Sequence, residues 1–262
     1  MPGVYKTLKK NGQTYYRVSV TFRGKHISLG SFSTEKKAGR CYTEARELIA
    51  SKDASVEDYS SRLALPFDKY VSILNFKLNN IYSPNPIFVR KRFFFYYLTP
   101  KKILTFDLDD LFYFSSHKIM QRGGHLFVDD FGVQTSLLSR FNIQPYAVEG
   151  KDYRFRNGDE LDFRSENLEI INPYFGVRKE PEGVSTVYRV KIHERSTLLV
   201  GVYEDLITAA IAYNKAVDIL KRNGCTKSFQ ENFLEGVSPS AYADIYSKVK
   251  IRKAIYQRKF SN

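Results

Sequence analysis

The chain of 262 residues has no tryptophan, two cysteines and four histidines. Two cysteines, Cys41 and Cys225, do not make a disulfide framework or a thiolate metal site. Cys41 falls on the apolar stripe of a predicted helix, where a free cysteine acts as a small core residue. Of the histidines, His26 and His193 fall in predicted strands, and His117 and His125 lack metal-ligand spacing. There is no glycine-rich phosphate loop, Cys/His cluster or nucleophile triad. The sequence therefore predicts no catalytic residue, no metal and no cofactor. No apolar run approaches the length of a membrane span, so no membrane partner is expected. Met1-Pro2-Gly3-Val4 runs straight into the first patterned segment, so no signal peptide is expected either, and the expected compartment is intracellular and reducing. Acidic residues are scarce: 28 Asp and Glu against 41 Lys and Arg, a net charge of +13. Such a charge favours a polyanionic partner, though by itself it does not separate DNA from RNA or acidic lipid.

What is present is one pattern that occurs twice. Near the start it reads Gly3-Val4-Tyr5-Lys6, Tyr16-Arg17-Val18, Gly30, Ala38, Tyr42 and Ala45. Near the end it reads Gly176-Val177-Arg178-Lys179, Tyr188-Arg189-Val190, Gly201, Ala209, Tyr213 and Ala216. The offset falls only from 173 to 171, so two copies of one small module flank something else. Each copy predicts three strands and a helix. Tyr16, Val18, Val20 and Phe22 alternate with Arg17, Ser19, Thr21 and Arg23, the period of a strand with one buried face. Arg23-Gly24 is a turn signal, and Ile27 and Leu29 alternate with His26 and Ser28. Ser33-Thr34 offers a helix cap, after which Ala38, Cys41, Tyr42, Ala45, Leu48 and Ile49 recur at helical spacing. In the second copy Tyr188, Val190 and Ile192 point in, Asp205 is the cap, and Ala209, Ala212, Tyr213, Ala216, Ile219 and Leu220 form the stripe.

A three-stranded sheet with a helix on one face leaves the other face free. Residues 1–50 hold ten Lys or Arg against three Glu, a net of +7. A basic, hydrogen-bonding sheet fits the DNA major groove. The motifs resemble the Apetala-two domain of plant ethylene-response factors, marked by Gly-Val-Arg, an aromatic opening the second strand, Leu-Gly-x-Phe, and Ala-Ala-x-x-Tyr on the helix. The first copy has Gly3-Val4, Tyr16, Leu29-Gly30-Ser31-Phe32 and Ala38 with Tyr42. The second has Gly176-Val177-Arg178, Tyr188, Val200-Gly201 and Ala209-Ala210 with Tyr213, and the family's tryptophans are absent. The resemblance implies base-reading side chains on the outward sheet face: Tyr5, Thr7, Arg17, Ser19, Thr21, His26 and Ser28; the basic charge of this copy adds Lys6, Lys9, Lys10, Arg23 and Lys25 as further DNA contacts. In the second copy it implies Arg178, Arg189, Lys191, His193 and Thr197, and Lys179 beside Arg178 is a further DNA contact. That copy carries only +2 over residues 174–222, with Glu180, Glu182 and Glu194 placed to repel phosphate. It reads either as a weaker DNA module or as a partner surface.

Between the copies, Pro66 opens a predicted helix with Phe67, Tyr70, Val71, Leu74 and Leu78 on one face, and Pro84-Asn85-Pro86 breaks it. Arg90-Lys91-Arg92 followed by Phe93-Phe94-Phe95-Tyr96-Tyr97 reads either as an aromatic–basic surface or as a buried strand with a charged rim. Further on, Leu104-Thr105-Phe106-Asp107-Leu108-Asp109-Asp110, Gly123-Gly124-His125 and Leu137-Leu138, then residues 156–170, resemble an HNH homing endonuclease. Mobile-element nucleases often fuse that domain to Apetala-two modules. The chemistry of the family needs a histidine as general base and a second histidine or equivalent ligand to hold the divalent metal. Those positions fall at Thr135-Ser136 and at Phe155, and the asparagine inside the family's Leu-Asp-Asn-Arg stretch is Phe163. Asn157, Gly158, Asp162, Arg164 and Asn167 then read as scaffold, and Arg154 and Arg156 as backbone contacts. Finally, Ser238-Pro239 opens a basic C-terminal helix, with Tyr242, Ile245, Tyr246 and Val249 on one face and a net of +5 over residues 237–262.

Taken together, the sequence predicts an α+β chain: two modules of a three-stranded antiparallel sheet plus helix flanking a degenerate ββα, HNH-like centre, with a basic C-terminal helix. The expected boundaries are residues 1–52, 53–103, 104–173, 174–235 and 236–262. The resemblances imply a sequence-specific double-stranded DNA-binding protein, a transcriptional repressor or regulator of a bacteriophage or mobile element, DNA-associated in the bacterial or infected cytoplasm. An active metal-dependent nuclease using Asp159, Asp162 or Asp107, and a protein-binding inhibitor module, stand as rivals. A homodimer or another protein partner stays open.

Overall fold

Alternation over residues 14–22 gives the central strand of the first sheet. The computed structural model of the chain describes residues 2–8, 12–130, 132–144 and 147–260. In it β1 (Val4–Leu8), β2 (Thr14–Phe22) and β3 (Lys25–Phe32) form an antiparallel sheet in that order. Arg23 and Gly24 join β2 to β3 with φ of 47° and 74°, the backbone of a tight two-residue hairpin. Thr34 caps α1 (Glu35–Ala50), its hydroxyl accepting the Lys37 N–H. Val18, Val20, Ile27 and Leu29 from the sheet bury against Ala38, Cys41, Ala45 and Leu48 from the helix. Alanine and cysteine let the helix approach closely.

The chain then forms α2 (Phe67–Asn79), the sheet β4 (Ile87–Val89), β5 (Phe93–Thr99) and β6 (Lys102–Asp107), the short α3 (Leu111–Ser116), and the sheet β7 (Ile119–Arg122), β8 (His125–Asp130) and β9 (Val133–Ser136). Two short strands, β10 (Tyr153–Phe155) and β11 (Leu168–Ile170), pair as a ribbon. The second copy supplies β12 (Val177–Glu182), β13 (Ser185–His193) and β14 (Thr197–Tyr203) in antiparallel order, then α4 (Leu206–Arg222) capped by Asp205. Two helices follow, α5 (Pro239–Lys248), capped by Ser238 with proline in its first turn, and α6 (Lys253–Gln257).

The repeat is reproduced in detail. The β2–β3 register shifts after Val18, opposite Gly30, and the β13–β14 register shifts after Val190, opposite Gly201. Gly3 and Gly176 sit at φ of +70° and +67°, each against the ring of its own module's helix tyrosine, Tyr42 or Tyr213. The Gly3 carbonyl accepts the Ser19 N–H, and the Gly176 carbonyl accepts the Lys191 N–H. The spaced Gly and Tyr of the motif are thus one packing contact, made twice.

Four expectations change. The chain divides into two compact units, residues 1–137 with 155–168, and residues 138–154 with 169–262. In the first, residues 53–103 are not a separate connector: Tyr70, Val71, Leu74, Phe76, Phe88 and Tyr97 join the core of the β1–β3 sheet. In the second, the C-terminal helices are part of the module, with Val249, Ile251 and Ile255 buried in its core. The ββα centre is not formed: among the described residues no α-helix lies between α3 and α4, and a 3-10 turn spans Leu137–Phe141. Leu78, expected on the buried face of α2, is exposed in its last turn.

Candidate nucleic-acid interface

With α1 sealing one face of the β1–β3 sheet, the pleat sends alternate side chains to the other. Tyr5, Arg17 and Ser31 lie side by side across the three strands, and all three are exposed. Toward one end Thr7 faces Tyr15; toward the other Thr21 faces His26, with Ser28 beside them. Thr21, His26 and Ser28 are exposed and Thr7 is half-buried. Three strands at the usual spacing of ~4.8 Å make a face about 10 Å across, close to the ~12 Å width of the B-DNA major groove. Arg17 has no carboxylate within ion-pair distance among the described residues. The first acidic residue of the chain is Glu35, on the helix, so the strands themselves contain none. Tyr15 and Ser31 were not among the predicted readers; counting by twos from Arg17 reaches Tyr15, but Ser31 needs the strand pairing.

Not every predicted contact lies on this face. Ser19 is buried, although its neighbours on the same face of β2, Arg17 and Thr21, are exposed. Lys6 pairs across the sheet with Tyr16 and sits on the helix side of the pleat, where Tyr16 and Phe32 pack on the core. It is exposed at the sheet edge. Arg23 donates to the Phe76 carbonyl at 2.9 Å and to Asn80 Oδ1 at 3.1 Å, so its guanidinium fastens the hairpin to the end of α2. Lys25 lies with its Nζ 5.0 Å from the Tyr82 ring. Lys9 and Lys10 fall outside the described residues.

The second sheet presents a different surface. The row matching Tyr5–Arg17–Ser31 is Arg178–Arg189–Val202. Arg189 is held by Glu180, Nε to Oε2 at 2.5 Å, and this hydrogen bond raises its pKa above the ordinary arginine value. A recess of about 190 Å³ lies over this face, lined by Arg178, Glu180, Arg189 and Lys191 of the sheet and by Gln144, Asp152 and Asn172. Asn172 Oδ1 accepts the Lys179 N–H, fixing that wall to β12. Lys179 and Lys191 are exposed, as are His193 and Thr197, which pair across the strands with His193 Nδ1 3.2 Å from Thr197 Oγ1. A walled recess with one of its arginines already paired does not match the open face of the first sheet.

The loop between β10 and β11 is knit to itself. Asp162 accepts Arg164 Nε at 2.8 Å and Nη2 at 2.7 Å, and Asn157 Nδ2 at 3.2 Å. Burial pushes the Asp162 carboxyl up, but the bonds and charge of Arg164, with Asn157, outweigh it and hold the carboxyl below the usual aspartate range. Asn167 donates to the Asp159 and Asp162 carbonyls, and Asp107 Oδ2 accepts the Ser165 N–H. These residues hold the loop against β6, through Thr105 N–H to the Leu161 carbonyl and Phe163 N–H to the Thr105 carbonyl. Phe155 and Phe163 are both buried, at 8% and 3% exposure, and Phe163 stacks on Phe106 with centroids 5.4 Å apart. The positions where the nuclease resemblance puts a metal ligand and an asparagine are therefore core aromatics. Among the described residues no three His, Cys, Asp or Glu side chains converge as a metal site. Arg154 pairs with Glu169 at 2.8 Å, and both Arg154 and Arg156 are exposed. No helix among the described residues is long and apolar enough to cross a membrane.

Comparison of the chain with protein-family models, curated proteins and solved structures gives no match.

Proposed function

We propose that this chain binds double-stranded DNA with sequence preference, the β1–β3 sheet entering the major groove with Arg17 as its principal base reader. The observation that carries the reading is the exposed row Tyr5–Arg17–Ser31 on the uncovered side of a sheet whose strands hold no acidic residue. A guanidinium free of carboxylates suits bidentate bonding to guanine O6 and N7. Hydroxyls and an imidazole around it, Tyr5, Thr21, His26 and Ser28, offer both donors and acceptors to base edges. The Apetala-two resemblance supports the same docking. The HNH resemblance, with Phe155 and Phe163 in the core and Asp162 bound to Arg164, supports a regulator derived from a mobile-element nuclease, acting as a repressor.

The test is selection from a random duplex pool, followed by titration of the selected site and a scrambled control with wild type and Arg17→Ala. The variant should lose about 1–3 kcal/mol on the selected site and much less on the control. Equal losses on both duplexes would remove Arg17 from base reading, and the absence of any enriched sequence would defeat the proposal.

A further inference from the structure

The sequence around Arg90-Lys91-Arg92 fits two arrangements, and the fold adopts the buried strand with a charged rim. Residues 69–106 contain seven Lys or Arg and no Asp or Glu. Within this stretch Phe94 and Tyr96 are buried, so β5 is a core strand, while Arg90, Lys91 and Arg92 form the exposed turn between β4 and β5. The turn closes by the Arg90 N–H donating to the Phe93 carbonyl. Arg90 lies over the rings of Phe88 and Phe95, at 4.7 and 5.7 Å. Lys91 and Arg92 have no carboxylate within ion-pair distance among the described residues. Three adjacent cations repel one another, and nothing acidic in the described turn offsets that.

The turn is also tied to the proposed reading sheet by the end of one helix. At the C-terminus of α2, Asn79 Nδ2 donates to the Val89 carbonyl at 2.9 Å and to Asn75 Oδ1 at 2.8 Å, and Asn75 Oδ1 accepts the Val89 N–H at 2.8 Å. Within the same turn of helix, the Phe76 carbonyl and Asn80 Oδ1 hold Arg23, at the tip of the β2–β3 hairpin. That hairpin carries Thr21 and His26 on the outer face. One helix end thus fastens two hairpin tips, one bearing proposed base readers and the other an unpaired cluster of cations.

We infer that the Arg90-Lys91-Arg92 tip is a phosphate clamp, gripping the backbone of the same duplex beside the bases met by the β1–β3 sheet. The inference rests on the duplex reading above. The clamp carries no sequence information, since phosphate contacts set register and affinity while base edges set preference. Arg90 braces the turn on its aromatic neighbours, and Lys91 and Arg92 make the contacts.

The decisive experiment is a salt titration of the full chain on its selected duplex and on a scrambled duplex, comparing wild type, Lys91→Gln/Arg92→Gln and Arg17→Ala. Each phosphate neutralised contributes about 0.9 to the slope of log K against log salt. The double variant should lower that slope by about 1.8 on both duplexes and leave the ratio between them unchanged. Arg17→Ala should instead collapse the ratio. Thermal melting of the double variant should match or slightly exceed wild type, because both side chains are exposed and their mutual repulsion is relieved. If wild type binds duplex and the double variant keeps its slope, the clamp is refuted while the sheet reading survives. If wild type shows no salt-dependent duplex binding, the sheet reading falls and the clamp with it.

Discussion

Replacing Gly3 with alanine tests whether the repeated Gly–Tyr contact is what locks each sheet to its helix. The residue sits at φ +70°, where an L side chain costs ~1–2 kcal/mol. Its new Cβ would lie inside contact distance of the Tyr42 ring and 2.5 Å from the Ser19 carbonyl oxygen. The ring can swing aside, but the carbonyl belongs to β2, so the strand itself must shift. That shift strains the bond from the Ser19 N–H to the Gly3 carbonyl, now 2.9 Å. Crowding of this kind costs ~1–3 kcal/mol, so the total is about 2–5 kcal/mol, a large share of a typical domain's ~5–15 kcal/mol. Gly24 supplies the control. It has φ +74° but nothing within 4 Å of an added Cβ, so Gly24→Ala should show only the conformational part, ~1–2 kcal/mol. Urea unfolding followed by far-UV circular dichroism gives both values by linear extrapolation. A Gly3→Ala midpoint displaced no further than that of Gly24→Ala would refute the packing argument.

Two further outcomes follow from buried groups. The Asp162 carboxyl is held below its ordinary range, so it adds stability that is complete above the usual aspartate pKa of ~4 and is lost as pH falls through its lowered value. Asp162→Asn should therefore flatten the acid limb of the stability profile below about pH 4 while lowering stability at neutral pH, and an unchanged acid limb would contradict the ion-pair assignment. Burial, with Glu44 adding to it, pushes the Cys41 thiol up to about 12. The folded chain should consequently resist alkylation at Cys41 near pH 8 and react fully in urea; modification at equal rates in both states would place that thiol at the surface.

Local signals were legible in the sequence, and pairings over distance were not. Thr34, Asp205 and Ser238 cap their helices as read, because a cap needs only the next three residues. The duplicated module was legible because its Gly, Val, Ala and Tyr positions are fixed by one packing scheme used twice. Alternation along β2 puts Ser19 outward, and nothing in the local pattern signals that it is buried. Arg23 looks like a surface cation, yet its acceptors lie 53 and 57 residues away at the C-terminal end of α2. Arg189 shows the same blindness at shorter range, since Glu180 reaches it from the adjacent strand. The aromatic run at residues 93–97 could be divided into buried and half-buried faces only once β5 was flanked by β4 and β6.

The Gly3–Tyr42 and Gly176–Tyr213 contacts both lie on the helix side of their sheets. In both copies that side is constrained sterically, because the tyrosine ring and a strand carbonyl leave no room for a side chain at the glycine. The opposite side carries no such obligation. One copy could keep a lone arginine among hydroxyls while its sibling gathered carboxylates and a roof, without either losing its fold. The two outer faces can therefore differ while the two interiors stay alike.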